Sequence, residues 1–64
     1  MEKELKELMT RLVNRLETST GWMERTAEQV RATDSVRFNS LQAGIKDNKT
    51  VIDEAKSAIA KMVR

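Results

Sequence analysis

The chain has no cysteine, no histidine, no proline and no tyrosine, only two glycines, and only two aromatic residues, Trp22 and Phe38. Each absence removes a class of protein. Without cysteine or histidine there is no disulfide framework, and no zinc, haem or iron–sulfur site of the usual kind can be assembled, so no cofactor is expected. The same two absences exclude the common nucleophile–base triads. Gly21 and Gly44 stand too far apart to build a phosphate-cradling loop. No run of apolar residues approaches the roughly 20 that a membrane span needs. The beginning, Met1-Glu2-Lys3-Glu4, is too acidic and polar for a secretory leader. The absence of cysteine does not fix the compartment, and a reducing cytoplasm is the default expectation.

Charge is plentiful but mixed. Charged residues make up 34% of the chain, yet the formal net charge is only +2. The first forty residues balance acid against base. From Leu41 onward Lys46, Lys49, Lys56, Lys61 and Arg64 outnumber Asp47, Asp53 and Glu54. A nucleic-acid groove wants a denser basic stripe with interleaved aromatics, so nucleic acid is not the expected partner.

What the chain does have is helical periodicity with nothing to break it. Leu41, Ile45, Asn48, Ile52, Ala55, Ile59 and Met62 follow at alternating steps of four and three, the spacing of a seam that closes against another helix. Near the start, Leu5, Leu8, Met9, Leu12, Val13 and Leu16 form a stripe wider than a two-position seam, suited to covering more than one neighbour. Its polar side carries Glu2 with Lys6, Lys3 with Glu7 and Glu7 with Arg11, opposite charges one turn apart.

The weakest helical stretch is Glu17-Thr18-Ser19-Thr20-Gly21, where hydroxyl residues that favour caps precede a glycine. A turn is expected at 18–21, between a helix over about 2–18 and one long helix over about 22–62. An unbroken rod competes, because Leu5, Met9, Leu12, Leu16, Ser19, Met23, Thr26 and Val30 keep the four-three step through the glycine. Two other interruptions are weighed. Consecutive steps of four around Asp34 read as a stutter that the helix survives. Gly44 with Thr50 and Asp53 resembles a helix end and a capping box, but the seam keeps its phase from Leu41 to Met62. The expectation is an all-α single domain over 1–64: a coiled-coil or helical-bundle homo-oligomer.

Self-association follows from size. A 64-residue chain leaves much of its apolar surface wet unless disulfides, metal or partner subunits assist, and only subunits remain. The expected oligomer seam runs through Leu5, Met9, Leu12, Leu16, Met23, Val30, Leu41, Ile45, Asn48, Ile52, Ala55, Ile59 and Met62. Asn48 lies between two isoleucines in that seam, where an amide lowers stability but can select register and strand number. Ser19, Thr26, Thr33 and Asp34 make the middle of the line polar, so the ends are expected to carry the assembly energy.

No catalytic constellation is present, and the chain reads as a non-enzyme. Glu24 and Glu28 lie one turn apart, but no third ligand is spaced to join them. The expected function is that of a self-assembling interaction or scaffold protein, with its own copies and a further protein as partners. The alternative is a small oligomer that sequesters or senses an anionic, nucleotide-like molecule. It rests on Trp22, Arg25, Thr26, Arg31, Thr33, Arg37 and Phe38, which bring guanidinium forks, hydroxyls and rings into one segment. Compact viral or plasmid-borne proteins of that kind are common, though no motif marks such an origin here. Against it, the three arginines step by six and do not share a helix face.

Overall fold

A computed structural model describes residues 2–62 as two helices. Helix α1 spans Glu2–Val30 and α2 spans Ser35–Met62, with a turn at 31–34. Pairing runs antiparallel: Glu17 meets Lys56 and, nearer the turn, Glu24 meets Lys49. The hairpin is a rod of 48 × 14 × 12 Å with a radius of gyration of 14.8 Å. A globular chain of this length would have a radius of about 11 Å.

The all-helical expectation is met, but the turn is not where the hydroxyl cluster placed it. Residues 18–21 are helical and lie inside α1, so the two-helix division at 18–21 and the single helix over 22–62 are both corrected. The cause lies in the hydroxyls. Thr18 donates to the Asn14 carbonyl at 3.1 Å and Thr20 to the Leu16 carbonyl at 2.7 Å, each four residues back. Satisfied inside the helix, they have no need to cap a new one. Gly21 costs helix propensity, but a seam continuing on both sides outweighs one glycine.

The turn instead forms where the step of four repeats. Val30 ends α1, and its carbonyl accepts from the backbone N–H groups of Thr33 at 3.1 Å and Asp34 at 2.8 Å. Asp34 then caps α2: its Oδ1 accepts from the Arg37 backbone N–H at 3.0 Å, and its carbonyl receives the first helical bond from Phe38. A short side chain reaching an amide of the first turn is the ordinary N-cap arrangement. What reads as a stutter is therefore two seams joined by a reversal. Gly44 and Thr50 interrupt nothing; Thr50 bonds back to the Lys46 carbonyl.

Partly or fully buried positions on α1 are Lys6, Met9, Val13, Leu16, Thr20, Met23, Ala27 and Val30, an unbroken three-four alternation apart from Gly21 and Thr26 beside it. On α2 the same alternation runs Phe38, Leu41, Ile45, Asn48, Ile52, Ala55, Ile59 and Met62, with Gly44 alongside. The helices thus close on each other as an intramolecular coiled-coil seam. The core is thin. Among the described residues only Val13, Ala27, Ile45 and Ile52 are buried apolar residues, with Thr20 among them.

Candidate interaction surface

Register comes from the polar layer at the middle of the seam. Asn48 Nδ2 donates to Thr20 Oγ1 at 3.1 Å and lies 3.5 Å from the Met23 sulfur, while Thr20 donates onward to Leu16. Among the described residues no buried side-chain nitrogen or oxygen is left unbonded. With Thr20 level with Asn48, antiparallel geometry sets Leu16 level with Ile52 and Val13 with Ala55. Met9, Leu12, Val13, Leu16, Val51 and Ala55 accordingly line one shared apolar cleft.

The two flanks of the seam differ in kind. One is polar and bridged: Lys56 Nζ lies 2.7 Å from Glu17 and Lys49 Nζ 2.9 Å from Glu24. The bonded Glu17 carboxylate holds the Lys56 ammonium above its ordinary value of 10.5. The opposite flank has no such bridge among the ion pairs described, and Leu5 (50% exposed), Leu8 (50%), Leu12 (59%) and Val51 (50%) are laid open on it. Arg11 and Arg15 border Leu8 and Leu12 on their outer side.

The expected seam residues divide accordingly. Met9, Leu16, Met23, Val30, Leu41, Ile45, Asn48, Ile52, Ala55, Ile59 and Met62 face the other helix of the same chain. Leu5 and Leu12 lie off the buried line on the open flank, where Leu12 edges the cleft it shares with Val51. Val13, Thr20 and Ala27 occupy the buried line in their place; Val13 belongs to the wide apolar stripe but not to the expected seam, and Thr20 and Ala27 stay out of that seam because threonine and alanine carry little hydrophobic signal. Their spacing of seven was the available clue.

The proposed ligand residues gather at the turn half of the rod but do not converge. Trp22 is exposed, with the Arg25 guanidinium over its ring at 4.8 Å. Arg31 is paired with Glu28 at 3.0 Å, Thr33 lies in the turn, and Arg37 is exposed on the first turn of α2. Thr26 and Phe38 are half-buried toward the seam. No group of three or more acidic, histidine or cysteine side chains among the described residues is placed to hold a metal ion. No described helix is long and apolar enough to cross a membrane.

The fold and surface define a class, the antiparallel helical hairpin with one bridged and one open flank. Compared with known proteins, the chain matches no family model, no curated protein and no solved structure.

Proposed function

We propose that the protein is a non-enzymatic interaction protein that works by self-assembly, its hairpins scaffolding or completing a larger helical assembly. One observation carries this reading: four large aliphatic side chains, Leu5, Leu8, Leu12 and Val51, are half or more exposed on a single flank, beside a core that holds four buried apolar residues among the described ones. Covering the exposed half of each supplies roughly 1 kcal/mol apiece, a useful fraction of what holds a small domain together.

The test is mass by light scattering across a hundredfold range of protein concentration. The reading requires a mass above 7.3 kDa that falls on dilution. A chain that stays at that mass throughout while fully helical would remove it.

An anionic ligand at the turn half is the weaker reading. The exposed Arg25–Trp22 stack supports it, but the salt bridge from Arg31 to Glu28 leaves that guanidinium already engaged. A thermal-shift panel of nucleotides and simple anions tests it, since a ligand bound only by the folded state raises the melting temperature.

A further inference from the structure

Resting on the self-assembly reading, we propose that the open flank is covered by a second copy of this chain. The two copies are related by a two-fold axis along the rod, so that α1 of each lies over α2 of the other and both turns sit at the same end. The product is a four-helix bundle in which every neighbouring pair of helices is antiparallel.

Surface area points to an occupant of this size. The hairpin exposes 5216 Å². A compact monomer of its mass would expose about 4,200 Å², so the rod carries an excess of roughly 1,000 Å². A stable dimer of standard size buries about 800 Å² on each partner. One further copy along one flank is enough to remove the excess.

The pattern along α1 fits the same geometry. Beside the seam that faces α2, a second series of three-four steps runs Leu5, Leu8, Leu12, Arg15, Ser19 and Trp22 along the open flank. On α2 the corresponding edge carries Val51 and the small residues Gly44 and Ala58, which allow a neighbouring helix to approach closely.

Orientation follows from level and charge. An axis along the rod keeps every residue at its own height, so the leucines of one copy fall opposite Val51 and Ala58 of the other. Turned end for end with full overlap, those leucines would instead face the segment around Ser19, Trp22 and Thr26. In the favoured arrangement Arg15 of one copy is level with Glu54 of the other to within one residue, a rise of about 1.5 Å. Opposite charges therefore meet at that height, and two-fold symmetry repeats the pair.

Charge reversal tests this directly. Arg15→Glu and Glu54→Arg are each expected to weaken dimerisation at least fivefold at low salt, and the doubly reversed chain to return to within about twofold of the original. Arg15 and Glu54 of one chain are level as well but form no ion pair with each other among the described residues, so restoration reports contact between copies. Leu8→Glu, at a position already half-exposed in the hairpin, is expected to abolish dimerisation while helicity persists, which separates loss of assembly from loss of fold. A dimer unaffected by Leu8→Glu, or reversals that do not compensate, overturns the proposed surface or orientation and leaves self-assembly standing. A chain that is monomeric at every concentration overturns both.

Discussion

Asn48 donates to Thr20 across the hairpin at 3.1 Å, and Thr20 passes its own hydroxyl hydrogen to the Leu16 carbonyl, so one polar chain crosses the seam from side chain to backbone. A shift of either helix by a turn would separate these two partners and leave an amide facing aliphatic side chains. An unpaired buried amide costs about 1–3 kcal/mol, which penalises every other register. The layer trades some stability for a single alignment of the two helices.

Replacing Asn48 by alanine is expected to lower unfolding free energy by about 1–2 kcal/mol, since a cavity opens and Thr20 loses its donor. Asn48→Leu with Thr20→Val is expected to restore or exceed the original stability, because both partners are then apolar. Urea titrations followed by circular dichroism at fixed protein concentration measure both. Equal losses in the single and double variants would show that the bond contributes nothing to the pairing.

The two glycines separate propensity from packing. A methyl group at Gly21 meets nothing within 4 Å, whereas one at Gly44 comes 2.7 Å from the terminal methyl of Met23. Gly21→Ala is therefore expected to stabilise the hairpin by about 1 kcal/mol, the usual helix-interior difference. Gly44→Ala is expected to gain less, because Met23 must rotate, and Gly44→Val to destabilise. Thermal melts of the three variants check the order.

Asp34 holds the start of α2. Loss of its acceptor in Asp34→Ala is expected to cost about 1 kcal/mol, while Asp34→Asn, another good cap, stays within a few tenths. Denaturant midpoints distinguish them. Equal effects would mean that the turn is held by the paired bonds to the Val30 carbonyl alone.

On the bridged flank, Glu17 raises the proton affinity of Lys56 in the folded chain. A raised lysine stabilises the fold fully below its unfolded value of 10.5, and the contribution is lost as pH climbs through the folded value. Melting temperature is therefore expected to fall as pH passes above about 10.5. Both side chains stay substantially exposed, so the drop is small and shrinks in salt. Glu17→Gln is expected to remove this part of the pH dependence; an unchanged profile would remove the pair from the picture.

The sequence made α2 legible because its seam is almost wholly aliphatic: Leu41, Ile45, Ile52 and Ile59 announce one face, and Asn48 keeps their phase. It misled on α1 because hydrophobicity and position disagree there. Leu5 and Leu12 are the greasier residues, yet Val13, Thr20 and Ala27 are the buried ones. A small residue packs a helix closer than a large one, and a threonine with its hydroxyl bonded back to the helix is a tolerable core residue. The turn was hidden for a related reason. Arg31-Ala32-Thr33 contains neither glycine nor proline, and only the cap at Asp34 and the break in the four-three step mark it. The polar residues at the turn half were visible as a cluster in sequence, but their separation over both helices and the turn is a matter of three dimensions.

The concentration dependence of thermal unfolding is the most direct measurement of all. Association favours the folded state by mass action, so the melting temperature must rise steadily as the chain is concentrated over two decades, and the leucine-flank variant Leu8→Glu must lose that rise. A melting temperature that stays constant over the same range would show a hairpin that folds alone and needs no second copy.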